Sequence, residues 1–331
     1  HLGAAEFFPD KQGFDRAVGG SELGAAPSFF SPYRISTLSD GEPGEYLTDR
    51  ESLEATRFIE ANKDRPFFVY LPHHAVHTPI QARKELIEKY RRKATRGAPH
   101  SHATYAAMIE SVDESVGRIL AKLDELHLAE KTVIILTSDN GGLLAMTKNT
   151  PLRAGKGSVY EGGVRVPLLI RAPGIVATGS ACDVPVIACD FYPTILALAG
   201  VSPKPGQIID GENIAPLLRQ TGALRRDAIY WHYPHYHGQG ATPYGAIRSG
   251  DWRLIEFYDD GRLELYNIKR DIGESTNLAS SHPEVVASLK QKLADWRRDV
   301  SAQMPSPNPN YDAEQDAKWD PYGKGKKVST K

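Results

Sequence analysis

The run Val133-Ile134-Ile135-Leu136 is apolar, mostly β-branched, and stops abruptly at Ser138-Asp139-Asn140-Gly141-Gly142. A segment this short, bounded by glycines, reads as a buried strand and not as a helix. Its carboxyl end presents Asp139 and Asn140 where open α/β sheets keep their active sites. Fourteen positions beyond Gly142, Lys156 stands between Gly155 and Gly157, with little to obstruct its ammonium. Tandem oxygen-bearing side chains and a glycine-flanked lysine together suit a hard metal ion and an anion. Each has a blander reading: Asp-Asn-Gly is good turn chemistry, and most lysines are exposed. The segment is not a P-loop, because the first glycine that motif requires is absent.

The surrounding pattern alternates strands with helices, which predicts a mainly parallel sheet covered on both faces. Residues 1–50 are rich in Gly, Pro, Ser and aromatics without a sustained period and read as well-packed loops. A helix is predicted over 49–62 with Asp49 as N-cap, then a buried strand over 66–72 bracketed by prolines, and a short helix to Tyr90. Residues 91–102 read as a loop. The spacing of Ile109, Val112, Val116, Ile119, Leu120 and Leu123 predicts a long helix over 103–126. A second strand is expected over 166–170, and a helix over 190–199, stopped by Gly200, with Pro193 in its first turn.

After Gly222 the texture changes to short alternating runs at 228–233, 244–248, 252–258 and 263–267, separated by turn residues. These predict an antiparallel meander. It is closed by a helix over 283–300 with Val285, Leu289, Leu293 and Trp296 on the sheet side, and Ser281 and Glu284 at capping-box spacing. The expected organisation is an α/β domain over 1–222, a small antiparallel sheet with one helix over 223–305, and a polar tail over 306–331.

A formal net charge of -1 and 24% charged residues give no support for nucleic-acid binding or a polybasic membrane face. No apolar run reaches transmembrane length. Cys182 and Cys189 have no zinc spacing and read as two unrelated buried thiols. His77, just past the 66–72 run, is placed to protonate a leaving group near neutral pH, or to bond loop carbonyls. His232, His235 and His237 are interleaved with aromatics in Trp231-His-Tyr-Pro-His-Tyr-His-Gly. Pro234 disfavours a regular zinc platform there, so stacking on and hydrogen bonding to a sugar ring is the expectation.

Several of these segments fall together. Ser138-Asp139-Asn140-Gly141, Lys156-Gly157, the run Tyr160 to Pro167 (YEGGVRVP), His77-Thr78-Pro79, Asp190-Phe191-Tyr192-Pro193-Thr194, Asp210-Gly211 and Leu265-Tyr266-Asn267 resemble the motifs of the formylglycine-dependent (type I) sulfatases. His1-Leu2-Gly3 resembles the end of that family's Gly-Lys-Trp-His-Leu-Gly motif. The resemblance implies an alkaline-phosphatase-like fold and hydrolysis of sulfate esters with bound Ca2+, in preference to Mg2+. It implies Asp139 and Asn140 as metal ligands, Lys156 on the sulfate, His77 at the leaving-group oxygen and His1 beside the formylglycine. Sulfated carbohydrates or small sulfate esters are the implied partners, with His232 and His235 on the sugar, and a periplasmic or secreted location is implied by analogy.

The departure is the nucleophile. The family's Cys-x-Pro-x-Arg motif is absent, and neither Cys182 nor Cys189 is followed by the required proline and arginine. It is expected upstream of His1, together with two further metal-binding aspartates and a lysine. The chain opens at His1 and not at methionine, which reads as a cut, a processing point or an incomplete record, leaving sheet edge and apolar surface exposed. Two alternatives remain: a phosphodiesterase or phosphonate monoester hydrolase of the same superfamily, or a non-catalytic module holding a sulfated glycan.

Overall fold

The computed structural model describes residues 3–93, 102–312 and 314. It divides into two compact units, His1–Ile134 and Ile135–Lys331. His1 and most of the tail beyond residue 312 lie outside the described residues.

The first unit is built on three helices: α1 (Leu47–Ala61), α2 (Lys84–Lys93) and α3 (Ala103–Glu125). The segment before α1 packs only in its later part: Phe29 and Tyr33, with Leu47 of α1, are fully buried against Ala107 and Met108 of α3, whereas the expected packing is missing over residues 3–18, which are mostly exposed. Asp49 is not the N-cap of α1. Tyr46 holds that position without a side-chain bond, and Asp49 sits in the first turn, where a carboxylate complements the helix dipole, paired with Arg118 at 2.6 Å. α3 turns only part of its expected apolar face inward: Leu123 is buried and Ile119 packs with it, but the rest of the buried face is made mostly by smaller residues. Ala107, Met108, Ser111, Ser115 and Leu123 are its buried residues, whereas Ile109 is half exposed. Small side chains let the helices approach closely, and Ser111 satisfies its own hydroxyl on the Ala107 carbonyl at 3.0 Å.

Residues 66–72 are extended but belong to no sheet among the described residues. Their exposure alternates, with Phe68 54% and Tyr70 68% exposed. The period of a strand is present without a neighbour to complete its ladder.

The second unit opens with β1 (Ile134–Thr137), which lies beside β2 (Leu168–Arg171). Between them runs the irregular glycine-rich segment, with one helical turn, α4 (Glu161–Val164). Leu136 and Leu169 on this pair are 40% and 60% exposed. Next come α5 (Phe191–Leu198) and α6 (Ala215–Leu218). They are tied by the fully buried Asp190, which takes Arg226 through both oxygens and also accepts from the backbone N–H groups of Ile187 and Glu212. Cys182 and Cys189 are free and exposed, not buried, because they sit in the irregular surface segment that leads into α5.

The meander forms as its alternation predicts: β3 (Ala228–Tyr233), β4 (Tyr244–Ser249), β5 (Trp252–Phe257) and β6 (Leu263–Asn267) make one antiparallel sheet in sequence order. α7 (Pro283–Asp299) covers it with Leu289 and Leu293 packed on Ile247, Leu254 and Leu265. The expected capping box does not form. His282 is the N-cap, and the Ser281 hydroxyl bonds the Leu278 carbonyl at 3.0 Å instead.

Candidate active site

The end of β1 delivers Ser138 to Gly142 as a tight turn. Asp139 Oδ1 accepts from the Asn140 N–H at 2.9 Å, Asn140 Nδ2 donates to the Gly141 carbonyl at 3.0 Å, and Ser138 Oγ donates to the Asn140 carbonyl at 3.0 Å. Turn chemistry is therefore real here, but it orients the remaining oxygens without consuming them. Asp139 is exposed, and among the described residues its second carboxylate oxygen and the Asn140 amide oxygen take no hydrogen bond. Two adjacent hard oxygens fit calcium as part of a shell of roughly six to eight. Among the described residues, no cluster of three or more His, Cys, Asp and Glu side chains is placed to hold a metal.

Lys156 is bonded to this turn through its own backbone: its N–H donates to the Gly142 carbonyl at 3.1 Å. Gly141 N–H donates to the Gly163 carbonyl at 3.0 Å, so the turn is gripped from two sides. Asn149 completes the frame. Its Oδ1 accepts from Gly142 N–H at 3.2 Å, and its Nδ2 donates to the carbonyls of Gly142 and Ala154, each at 2.9 Å. Position 141 is glycine because a β-carbon there would drive into the Gly162 carbonyl. Asn149 was not legible in the sequence, since one asparagine in a polar loop carries no periodic signal.

The lysine segment is fastened to the meander by buried charge. Arg253 of β5, with 0% exposure, donates to Glu161 Oε1 and to the Val159 carbonyl. Glu161 also takes Arg165 at 3.0 Å. Its backbone N–H donates to Glu274 Oε2 at 2.6 Å. Arg153 stacks on Tyr160 with 3.8 Å to the ring centroid, and donates to Tyr266 Oη at 2.8 Å and to the Glu274 carbonyl at 3.0 Å. Glu274 is fully buried, and its Oε1 stands 3.7 Å from Arg253 Nε, beyond hydrogen-bond reach. Burial pushes its carboxyl up to about 7, against the smaller opposing pull of Arg253.

The histidine-rich segment separates into three environments. His232 has both ring nitrogens engaged, Nδ1 with Tyr258 Oη at 2.8 Å and Nε2 with the Gln303 carbonyl at 2.9 Å. His235 is exposed, edge-on to Tyr233 at 5.4 Å between centroids. His237, which the sequence did not single out from its neighbours, lies over Gly157, next to Lys156.

In the first unit, His77 is exposed in its loop, with Nδ1 3.1 Å from the Thr78 carbonyl. The loop before it is anchored by Glu51, whose two oxygens bond His73 Nδ1 at 2.7 Å and His74 Nδ1 at 2.6 Å. His73 Nε2 reaches Ser115 Oγ at 3.1 Å. Burial works to raise the Glu51 carboxyl, but the two imidazoles outweigh it and hold it below the ordinary carboxylate range.

The likeness of the chain to solved sulfatase structures shows an alkaline-phosphatase-like fold. The family model described as Sulfatase matches residues 2–201, and that of N-sulphoglucosamine sulphohydrolase, C-terminal, matches 155–299. The chain belongs to the sulfatase family. It is 38% identical over 285 residues to a sulfatase of Formosa agariphila, covering 78% of this chain and 51% of that protein. The crystal structure of Ps i-CgsB in complex with k-i-k-neocarrahexaose superposes with a TM-score of 0.76 at 29% identity, covering 96% of this chain and 72% of that one. The phosphonate monoester hydrolase of Agrobacterium radiobacter shares the fold at a TM-score of 0.59 and 23% identity, covering 76% of this chain and 60% of that one. The chain spans about half the length of the curated relatives it matches. The family is consistent with formylglycine-dependent type I sulfatases. No helix among the described residues is long and apolar enough to cross a membrane.

Proposed function

We propose that this chain is the anion-binding and sugar-facing part of a sulfuric ester hydrolase acting on a sulfated carbohydrate. The observation that carries the reading is the bond between Lys156 N–H and the Gly142 carbonyl, which holds the lysine and the Asp139-Asn140 turn in one frame. Lys156 supplies a point charge for a sulfate oxygen, and a preorganised charge is worth most where it meets charge developing in the transition state. Asp139 and Asn140 would hold Ca2+, which, when bound, supplies Lewis-acid neutralisation of the same ester. His77 is assigned the proton for the departing alcohol by its position in the family motif. His1, assigned beside the nucleophile by the same resemblance, lies outside the described residues. The domain limits at 222 and 305 are part of this proposal, as is a periplasmic or secreted location.

The sugar part rests on the aromatic and histidine segment after β3, and it draws support from the neocarrahexaose held by Ps i-CgsB. The similarity to the phosphonate hydrolase is one of fold and does not favour a phosphoryl substrate. The test is to offer matched sulfate and phosphate esters to the intact gene product. Faster release of sulfate supports the reading, and preferential hydrolysis of the phosphate ester overturns it.

A further inference from the structure

The loop that leaves β3 turns back sharply: His237 N–H donates to the Ala241 carbonyl and Gly240 N–H to the His237 carbonyl, each at 2.9 Å. Inside this turn the Gln239 N–H donates to His237 Nδ1 at 3.1 Å. An Nδ1 that accepts a backbone proton fixes the neutral tautomer, so the ring proton is on Nε2 and that nitrogen is a donor. The ring is backed by Tyr233 at 6.3 Å between centroids, and Tyr233 is itself stacked on Tyr244 at 5.7 Å. This fixes the ring's tautomer and gives it a firm backing.

The turn also lies close to the Lys156 segment. Gly157 has φ +82°, and a β-carbon built on it would stand 2.7 Å from His237 Nδ1 and 2.9 Å from Gln239 Oε1. Glycine is favoured at 157 by its backbone angle, and its lack of a β-carbon lets these two side chains lie against the backbone. Gln239 Oε1 is buried there without a hydrogen-bond partner among the described residues. The neighbouring histidines do not offer the same combination. His232 is bonded at both nitrogens, and His235 is solvent-exposed.

We propose that His237, held by Gln239 and seated against the Gly157 backbone, is a specificity-determining residue. It would donate from Nε2–H to an oxygen of the sugar ring that carries the sulfate, while Lys156 takes the sulfate itself. The proposal deepens the sulfatase reading of Lys156 and rests on it. A neutral donor beside a cationic one sorts ligands by their organic part, because loss of the neutral hydrogen bond leaves the charge interaction in place.

The test is equilibrium binding of two probes, inorganic sulfate and galactose 4-sulfate, to the 331-residue chain and to His237→Ala and Lys156→Ala. The expected result is that His237→Ala weakens galactose 4-sulfate about tenfold and leaves inorganic sulfate unchanged, whereas Lys156→Ala weakens both. Unchanged galactose 4-sulfate affinity in His237→Ala, with the Lys156→Ala loss intact, overturns the role of His237 alone. Wild-type binding of neither probe, or binding indifferent to Lys156→Ala, sinks the reading of Lys156 and the proposal with it. Long-range 15N NMR of the imidazoles needs no variant. His237 is expected as the Nε2–H tautomer, with that resonance moving on addition of galactose 4-sulfate and not of inorganic sulfate; an Nδ1–H tautomer or an unmoved signal contradicts the proposal.

Discussion

Glu274→Gln tests the electrostatics that anchor the lysine segment. Glu274 is fully buried, and burial raises its carboxyl from 4.5 to about 7, outweighing the opposing pull of Arg253 at 3.7 Å. Below pH 4.5 both the folded and unfolded chains hold this proton. Between 4.5 and 7 only the folded chain does, so folding takes up a proton and stability falls as pH rises, levelling above 7. A shift of that size corresponds to about 3 kcal/mol, an order-of-magnitude figure. Glutamine is neutral throughout and still offers an oxygen to the Glu161 N–H. The difference in stability between Glu274→Gln and wild type should therefore move in the variant's favour by about 3 kcal/mol between pH 4.5 and 8. Urea unfolding followed by tryptophan fluorescence reads this directly, since Trp252 and Trp296 lie in the sheet and its covering helix. A difference that stays constant with pH, or moves toward wild type, refutes the reasoning.

Asn149→Ala removes all three bonds that Asn149 makes to Gly142 and Ala154. It should cost about 2–3 kcal/mol by urea unfolding and weaken sulfate binding, at roughly 1 kcal/mol per bond; a loss under about 0.5 kcal/mol would show that the frame does not depend on it. Gly141→Ala should be still more disruptive, because the obstacle is the Gly162 backbone and not a side chain that can move; a thermal melt matching wild type speaks against that packing. The 331-residue chain, which contains no Cys-x-Pro-x-Arg sequence, should release no sulfate from p-nitrophenyl sulfate, and clear turnover would overturn the assignment of the nucleophile to that motif.

Much of the fold was legible where one side-chain period decides the structure. The four strands of the meander and α7 follow from alternation, turn residues and the Leu289–Leu293 stripe, and they stand where these predict. Sequence reading failed where the deciding contact is distant. Part of the inner face of α3 is chosen by close helix approach, which favours Ser111 and Ser115 and leaves Ile109 outside, and no count of large apolar residues reveals that. Residues 66–72 have the alternation of a strand but no sheet neighbour among the described residues. In the candidate site, Asp139, Asn140 and Lys156 were visible because a strand end and flanking glycines mark them. Arg253 and Glu274 were not, because their partner Glu161 lies 92 and 113 positions away. His237 could have been found only by its fit over Gly157.

The central claim is that the frame holding Lys156 and the Asp139-Asn140 turn serves a sulfate ester. The direct measurement is the rate of sulfate release from p-nitrophenyl sulfate and from a set of sulfated oligosaccharides by the intact gene product, carrying either Lys156 or Lys156→Ala, in calcium-containing buffer. Removing one preorganised charge from the reacting group should lower kcat by about 10²–10³-fold. Equal rates for the two proteins, or no release by the protein with Lys156, would contradict the account.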